Sequence, residues 1–224
     1  GHRLSVISTG NGPDNIDIVI NELDALAHID CKTKERKAIG RTRNIVRIGT
    51  SGSVQADIPV DSFVISEKSI GCDGVLRFYA NNESVCDHPF EEAFIRHCRW
   101  TPSAARPYVV NADPGLVDRL YDEEHTIKGV TLTAVGFYGP QGRVLRLPLA
   151  MPGINDRITA FRYEGYKVTN YEMESAAITG LCNLLGHRAA TICLIIANRI
   201  NGDASADYHS YMNKLIRYTL EKLS

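Results

Sequence analysis

The sequence predicts an α/β fold in which helices cover a mostly parallel or mixed sheet. Short apolar runs alternate along the chain with segments whose apolar residues recur at helical spacing, which is the pattern of such folds. Several predicted strands end in polar or glycine-containing motifs, at the place where sheets of this class bind ligands. With 224 residues, of which 44% are hydrophobic, the chain is long enough for one domain with a sizeable core.

The predicted elements follow in order without an internal repeat or a low-complexity linker. Residues 4–8 form an apolar run that we expect to be the first strand. The next segment has a helical apolar stripe with Asp14 or Asn15 as its cap, and the stripe runs through Ile16, Val19, Ile20, Leu23 and Leu26. Further strands are predicted at residues 44–48, 63–66, 75–78, 131–136 and 190–197, and further helices at residues 90–97, 115–121, 175–185 and 211–220.

Two carboxylates and a thioether cluster in residues 171–175, Tyr-Glu-Met-Glu-Ser, where a polar strand end meets an apolar helix. The carboxylates of Glu172 and Glu174 can accept strong hydrogen bonds from neighbouring hydroxyl groups, and the unbranched Met173 can lie against the apolar face of a ribose ring. This pattern indicates a sugar-binding site. It has a second explanation, because the helix dipole favours acidic residues at any exposed helix start.

A candidate anion site follows the short apolar run 44–48. Arg47, Gly49, Thr50, Ser51 and Gly52 lie where we expect the strand to break into a glycine turn. Freed backbone N–H groups, two hydroxyls and the guanidinium could converge on one phosphate. The alternative is a plain strand-to-loop turn with an exposed arginine, since the lysine and the spacing of a nucleotide P-loop are absent.

A candidate pocket for a flat ring follows the predicted strand 131–136. Phe137 can stack on such a ring, the amide of Gln141 offers donors and an acceptor, and Arg143 offers donors only. Together they match a ring with adjacent carbonyl and N–H groups. In the alternative interpretation this segment is a Gly/Pro loop in which Phe137 anchors a corner of the core.

These motifs, in this order, resemble those of the nucleoside phosphorylase-I superfamily, and within it those of the uridine phosphorylases. The resemblance covers nearly the whole chain, and the set is far more specific than any one motif. The matches are Thr9-Gly10-Asn11-Gly12, Arg47-Ile48-Gly49-Thr50, Phe137-Tyr138 with Gln141 and Arg143, Tyr171-Glu172-Met173-Glu174-Ser175, and Ile196-Ala197-Asn198-Arg199.

The resemblance implies a site in three parts. These are Arg47 and Thr50 for phosphate, Glu172, Met173 and Glu174 for ribose, and Phe137, Gln141, Arg143 and Arg199 for the base. In purine phosphorylases of this superfamily an Asp usually follows the corresponding late strand, whereas this chain has Ala197-Asn198-Arg199. That difference and the Gln141/Arg143 pair favour a pyrimidine.

The activity that the resemblance implies is reversible phosphorolysis of uridine to uracil and ribose 1-phosphate, in nucleoside salvage and catabolism. Inorganic phosphate is the expected co-substrate, with no cofactor. The alternatives are a purine nucleoside phosphorylase, a nucleosidase that uses water, and a nucleoside-binding relative without turnover. The resemblance also implies a three-layer α/β/α fold with a mixed, distorted central sheet, and a homo-oligomer, either a hexamer or a dimer.

A single nucleoside phosphorylase domain over residues 1–224, lacking the family's N-terminal segment, is a further expectation from the resemblance. That segment normally carries a Gly-Asp-Pro loop and an arginine for phosphate, together with a histidine lent to a neighbouring subunit. His2 is expected to face solvent rather than to replace that histidine, since it lies at a chain end. Residues 145–166, with several prolines and glycines, are expected to form either a flap over the pocket or a passive surface loop.

The composition argues against several other classes of function. The net charge of −1 disfavours a nucleic-acid scaffold or a polybasic membrane anchor, and the basic run 32–37 is interpreted as a solvated loop. No stretch is long and apolar enough to span a bilayer. The six cysteines lack C-x-x-C spacing and the histidines lack metal-ligand spacing, so we expect reduced thiols, a cytoplasmic location and no metal site.

Overall fold

Seven strands form one mixed sheet in the computed structural model, which describes residues 4–224. The strands are β1 (Asn44–Ser53), β2 (Phe63–Gly71), β3 (Tyr108–Asn111), β4 (Thr126–Thr133), β5 (Arg162–Tyr163), β6 (Tyr166–Glu172) and β7 (Arg188–Asn198). The helices in the described part are α1 (Pro13–His28), α2 (His88–Cys98), α3 (Pro114–Leu120), α4 (Ile154–Ala160), α5 (Ser175–Leu184) and α6 (Tyr208–Leu223). The predicted α/β class is confirmed, while the expectation for His2 lies outside the described residues.

The sheet has the strand order β1-β7-β2-β4-β6-β5, and β3 pairs with β2. The pairs β1–β7, β2–β4 and β4–β6 are parallel, whereas β2–β7 and β2–β3 are antiparallel. Strand β1 also meets β6, where Gly52 pairs with Tyr171 and Ser53 with Asn170, so the sheet curves until two distant strands touch. The predicted mixed and distorted sheet is therefore confirmed.

Strand β7 shows how the sheet is covered on both faces. Its side chains alternate, so that Ala189 packs in the cluster of α1 and α5 while Ala190, Ile192 and Leu194 pack in the cluster of α3 and α6. Burial of these aliphatic side chains removes apolar surface from water and holds the helices against the strands. The result is a helix layer, a sheet and a second helix layer.

Two predicted strands are wrong. Residues 4–8 pair with no strand among the described residues, and Val6 is 92% exposed. An apolar run forms a strand only where a neighbouring edge takes its backbone hydrogen bonds. The segment Val75–Phe78 is a 3-10 turn, because Gly74 adopts a φ of 76° and the Asp73 carboxylate accepts a hydrogen bond from the Val75 N–H at 2.8 Å.

The remaining predicted elements are confirmed, although several of their ends differ. Strand β4 stops at Thr133, so residues 134–136 lie beyond it. Strands β3 and β5 and helix α4 lie outside the predicted elements, and of β6 the sequence predicts only the end, in the 171–175 motif. The sequence of β6 is polar, and its Thr169 and Asn170 are buried because they take part in hydrogen bonds inside the sheet.

No helix within residues 4–224 is long and apolar enough to cross a membrane. The six cysteines are all free thiols, and four of them, Cys72, Cys98, Cys182 and Cys193, are buried.

Candidate active site

Strand β1 carries the predicted anion site, but it does not break into a glycine turn. Gly49 and Thr50 pair with Cys193 and Leu194 of β7, and the strand continues to Ser53. Gly49 makes room for the neighbouring arginine instead, because a Cβ atom there would lie 2.6 Å from Cζ of Arg47. The guanidinium of Arg47 therefore occupies the space that a side chain at residue 49 would fill.

Arg47 is held between the two carboxylates of the 171–175 cluster. Its Nη1 lies 3.1 Å from Glu172 Oε2 and 3.2 Å from the Cys193 sulfur, and its Nη2 donates to Glu174 Oε2. The side chains of Arg47, Glu172 and Glu174 are only 13%, 1% and 7% exposed. Burial lowers the pKa of Arg47, but attraction to the carboxylates outweighs burial and holds the pKa above its ordinary value. We call these three residues the charge cluster.

Glu172 also caps the helix that follows it. Its Oε2 accepts hydrogen bonds from the backbone N–H groups of Glu174 at 2.9 Å and Ser175 at 2.8 Å, and its Oε1 accepts one from the Thr133 hydroxyl at 2.5 Å. N–H groups at a helix start have no partner inside the helix, so the cap satisfies them. The helix-start explanation of the 171–175 motif therefore applies to Glu172, while the sugar-binding role of the motif stays a prediction.

Glu174 is oriented from the other side by the start of α1. The Gly12 N–H donates to Glu174 Oε1 at 2.7 Å, so this carboxylate bridges α1 and Arg47. Gly12 has a φ of 92° and precedes Pro13 in the first helical turn, which suits both residue types. The sequence motifs do not predict a contact between Gly12 and Glu174. The only sequence feature that marks Gly12 is the Gly-Pro step before a helical pattern.

Met173 and Thr50 differ in how they relate to this cluster. Met173 is half-buried, whereas Glu172 and Glu174 on either side of it are buried. Thr50 is half-buried on β1, three residues after Arg47. Within the described residues Thr50 takes no part in the hydrogen bonds and ion pairs of the charge cluster, so its role as a phosphate ligand stays a prediction.

The segment 137–143, named the 137–143 arm here, gathers the residues predicted to bind a flat ring. Gln141 is 3% exposed, and its side-chain oxygen accepts hydrogen bonds from Arg143 Nη1 at 2.6 Å and from Arg199 Nη2. Arg199 Nη1 also donates to the Gln141 backbone oxygen at 3.1 Å. The Arg143 guanidinium lies 3.8 Å from the centre of the Phe137 ring, which is half exposed. The structure thus brings all four residues together.

Positive charge accumulates at this arm without a matching carboxylate. Arg143 and Arg199 share the Gln141 oxygen, and within residues 4–224 neither forms an ion pair. Burial lowers the pKa of Arg199 to about 10, and the charge of Arg143 adds to this shift. Burial also lowers the pKa of Arg143. Both groups stay protonated at neutral pH, so the arm suits a ligand with electron-rich or anionic atoms.

Tyr171 connects the arm to the charge cluster. The Arg199 guanidinium lies 4.5 Å from the centre of the Tyr171 ring, and Tyr171 directly precedes Glu172. Gly52 is paired with Tyr171, and a Cβ atom on Gly52 would approach Arg199 Nε to 3.3 Å. The two groups of residues therefore border each other where β1 meets β6.

Asp73 is a largely buried carboxylate that the sequence motifs do not single out. The Tyr108 hydroxyl lies 3.0 Å from each of its oxygens, and the Val75 N–H donates to it at 2.8 Å. Burial raises the pKa of Asp73 to about 6, and the negative charge of Glu172 adds to the shift. The Asp-Gly step at residues 73–74 is the only sequence signal, and it indicates a turn rather than a site.

A cavity of about 520 Å³ adjoins the 137–143 arm. Its walls include Tyr138, Arg143, Leu145, Leu147 and Met151. The segment 145–166 is not one irregular loop, because α4 and β5 occupy its second half. The first half borders the cavity with largely exposed leucines, and its role as a flap or a passive loop stays a prediction.

Asn198, in the late-strand motif, is used inside the protein. Its side-chain nitrogen donates to the backbone oxygens of Gln55 at 2.9 Å and Ile58 at 2.8 Å. Its side-chain oxygen accepts hydrogen bonds from the N–H groups of Ile200 and Asn201. Because Asn198 is only 1% exposed, it is not positioned to bind a ligand.

The relatives of this chain include phosphorylases of both substrate classes. A uridine phosphorylase of Thermococcus kodakarensis is 26% identical over 209 residues, covering 91% of this chain and 61% of the relative. A DeoD-type purine nucleoside phosphorylase of Hahella chejuensis is 27% identical over 169 residues, covering 70% of this chain and 65% of the relative. The chain thus spans less than two thirds of the length of either curated relative.

A solved structure confirms the fold. The crystal structure of Trypanosoma brucei nucleoside phosphorylase, described as showing uridine phosphorylase activity, matches with a TM-score of 0.78 at 24% sequence identity. The match covers 96% of this chain and 78% of that chain. In sequence, the family model of the phosphorylase superfamily matches residues 1–219, a range that contains every motif described above. This chain therefore belongs to the phosphorylase superfamily.

Proposed function

We propose that this protein catalyses the reversible phosphorolysis of uridine to uracil and ribose 1-phosphate, in nucleoside salvage and catabolism. Family membership supports a nucleoside phosphorylase. The observation that carries the proposal is the charge cluster around Arg47 beside the arginine pair that surrounds Gln141. Inorganic phosphate is the proposed co-substrate, and the reaction needs no further cofactor because oriented charges suffice for it.

Phosphate binds at Arg47 in this proposal, with Thr50 as a second ligand. A guanidinium has five N–H donors, so its contacts with Glu172, Glu174 and Cys193 leave donors for phosphate oxygens. The carboxylates repel a phosphate anion. We therefore expect Glu174 to turn from Arg47 towards the ribose hydroxyls when both substrates bind.

Ribose binds between Glu174 and Met173. The Glu174 carboxylate accepts hydrogen bonds from the ribose hydroxyls, and the half-buried Met173 packs its thioether against the sugar ring. Glu172 supports this arrangement from below, since its oxygens already accept hydrogen bonds from Thr133 and the start of α5.

Cleavage is accelerated by charged groups that stabilise the transition state. Phosphate attacks C1′ of the ribose while the base departs, so the sugar becomes positive and the base becomes negative in the transition state. Phosphate and Glu174 stabilise the sugar, and Arg143 and Arg199 stabilise the base. Holding nucleophile and sugar in one orientation makes the step effectively intramolecular.

No covalent enzyme intermediate is required. Cys193 is the thiol in contact with Arg47, but burial raises its pKa to about 11. A thiol that stays protonated at neutral pH is a poor nucleophile.

A pyrimidine fits the arm better than a purine. The Gln141 amide and the Arg143 donors suit a ring with adjacent carbonyl and N–H groups. Asn198 is taken up by internal hydrogen bonds, which removes it as a partner for the imidazole edge of a purine. The Hahella chejuensis relative keeps purine nucleosides as the second candidate substrate. Arg47 favours phosphate over water as the nucleophile.

The proposal includes a cytoplasmic location and a homo-oligomer, either a hexamer or a dimer. Several large apolar side chains are exposed in the described chain, among them Val6 and Phe78 at 92% and 90%. A subunit contact would remove such side chains from water.

A substrate panel tests the proposal. The protein is incubated with phosphate and either uridine, thymidine or inosine, and the released base is measured together with equilibrium binding of each nucleoside. We expect uridine to be cleaved fastest and inosine slowest. Faster cleavage of inosine would overturn the pyrimidine preference, and binding of uridine without any cleavage would indicate a nucleoside-binding protein.

A substitution in the 137–143 arm tests which residue selects the base. Gln141→Ala should mainly weaken selection among the bases, because it removes the neutral group that both arginines contact. An unchanged ratio of uridine to inosine cleavage in this variant would remove Gln141 from base recognition.

A further inference from the structure

A second polar cluster lies between the C-terminal half of α1 and the start of β7, apart from the residues proposed for nucleoside cleavage. It consists of Asp24, His28 and His187, and one potential metal-ligand atom from each lies within 4.8 Å of the others. Asp24 and His28 are four residues apart on α1, so they share one face of the helix. His187 comes from the turn that precedes β7.

The distances in this cluster are close to those of a metal site. Asp24 Oδ1 lies 2.8 Å from His28 Nδ1 and 3.2 Å from His187 Nε2. The two imidazole rings are stacked with their centres 5.6 Å apart. A tetrahedral zinc ion with bonds of about 2.1 Å needs donors roughly 3.4 Å apart. Small outward shifts of these side chains would therefore admit the ion.

His187 gives an independent indication of a ligand. Its side chain is 0% exposed, and within the described chain its Nε2 has no hydrogen-bond partner of good geometry, although Asp24 Oδ1 is nearby. A buried polar nitrogen without a partner destabilises the folded state, so such atoms are rare unless something binds them. This nitrogen lies beside the carboxylate that His28 also contacts.

The other ring nitrogen of His187, Nδ1, forms a hydrogen bond that metal binding would break. His187 Nδ1 accepts a long hydrogen bond from the Arg43 N–H at 3.3 Å. An ion at Nε2 moves the ring proton to Nδ1, and this hydrogen bond is then lost. The losses are this long, weak bond and the hydrogen bond between His28 Nδ1 and the Asp24 backbone oxygen at 3.1 Å, against three new bonds to the ion.

We propose that Asp24, His28 and His187 bind a zinc(II) ion, with a water molecule as the fourth ligand. Imidazole nitrogen and carboxylate oxygen are ligand types that zinc takes in proteins, and three protein ligands with one open position is a known arrangement. The side chains of His28 and Asp24 are 31% and 21% exposed, so the ion can enter from solvent. The sequence shows only the Asp-x-x-x-His pair, because His187 is brought to it by the fold.

The ion ties α1 to the start of β7. Helix α1 carries Gly12 at its other end, where the backbone N–H orients Glu174. Zinc therefore stabilises the C-terminal end of α1, opposite the Gly12 contact, and does not touch the residues proposed to bind the nucleoside.

Zinc binding is tested on the tag-free, chelator-treated protein by titration calorimetry, with cobalt(II) absorption as the probe of tetrahedral geometry. The test variant is His28→Ala. The control is His125→Ala, because His125 forms a similar pair with Asp122, at 2.9 Å, that has no third ligand among residues 4–224. We expect one zinc ion per chain in the wild type and the control, and an affinity at least about 10-fold lower in His28→Ala.

Two further readouts sharpen the result. Zinc should raise the melting temperature of the wild type and of His125→Ala but not of His28→Ala, and it should shift the Arg43 amide signal in the NMR spectra of the first two. Equal zinc affinity in all three proteins, or none in the wild type, would overturn the proposal. Nucleoside cleavage by His28→Ala should be unchanged, so the zinc site and the proposed activity are tested separately.

Discussion

The two halves of the candidate site differ in how their charges are balanced. Arg47 lies between two buried carboxylates, whereas Arg143 and Arg199 share one neutral amide oxygen. Removing one partner of a buried ion pair leaves an uncompensated charge and is strongly destabilising. Removing an arginine that has no carboxylate partner should cost the protein little stability, because no buried charge is left unpaired. The first half is therefore held together by its own charges, and we expect the charge of a ligand to balance the second.

The largest expected effect comes from Arg47→Ala compared with Arg143→Ala. Arg47→Ala leaves Glu172 and Glu174 buried without their cation, so we expect it to lose about 3–5 kcal/mol of unfolding free energy and nearly all activity. Arg143→Ala should lower kcat/KM about 100-fold with less than about 1 kcal/mol of destabilisation. Urea denaturation and steady-state kinetics measure both. Equal stability losses in the two variants would remove the contrast between the halves.

Glu174→Ala and Glu172→Gln separate the two glutamates of the charge cluster. We expect Glu174→Ala to lower turnover by about 10²–10³-fold, because the ribose contact strengthens in the transition state. Glu172→Gln should cost about 1 kcal/mol of stability through the weakened helix cap and affect kcat less. Kinetics and thermal unfolding of both variants check this order. Full activity in Glu174→Ala would show that the sugar site is assigned wrongly.

Gln141→Glu gives the arginine pair of the 137–143 arm a buried carboxylate, as Arg47 has in the charge cluster. The new carboxylate would pair with Arg143 and Arg199, so we expect unchanged or higher stability together with about 100-fold lower kcat/KM for uridine. The isosteric change keeps the shape of the arm, while it replaces the amide N–H donors by a charged acceptor oxygen. Wild-type activity in Gln141→Glu would mean that free positive charge at the arm is not needed for cleavage.

The titration of Asp73 is expected to change stability with pH and to leave cleavage unaffected. Its pKa is raised to about 6 in the folded protein from an ordinary value of 3.8. Below pH 3.8 the carboxyl is protonated in both folded and unfolded chains, and between about pH 4 and 6 the unfolded chain loses its proton first. Stability therefore falls over this window as pH rises, by up to about 3 kcal/mol.

Asp73→Asn removes this titration and keeps an acceptor for Tyr108 and Val75. The stability difference between variant and wild type should shift in favour of the variant as pH rises from 4 to 7. Chemical denaturation at several pH values measures it. A difference that does not change with pH would show that Asp73 titrates normally.

The 137–143 arm was predictable because its residues are neighbours in sequence. Phe137, Gln141 and Arg143 fall within one Gly/Pro segment, and local turn chemistry alone brings them together. The 171–175 motif is local in the same way, and its strand-to-helix position was also readable.

The contacts that complete the site were not predictable, because they join distant parts of the chain. The Gly12–Glu174 hydrogen bond spans 162 residues. Gly49 indicates a turn in the sequence. In the structure it lies within a strand, where its lack of a side chain leaves room for the Arg47 guanidinium. Likewise, residues 4–8 have the apolar pattern of a strand but no pairing partner among the described residues.

Phosphorolysis is tested most directly by the rate of uracil release from uridine as the phosphate concentration is varied. We expect a rate that saturates with phosphate, with ribose 1-phosphate formed in equal amount to uracil and no release without phosphate. Release that is independent of phosphate and yields free ribose would contradict it, because Arg47 would then not be the binding site of the nucleophile.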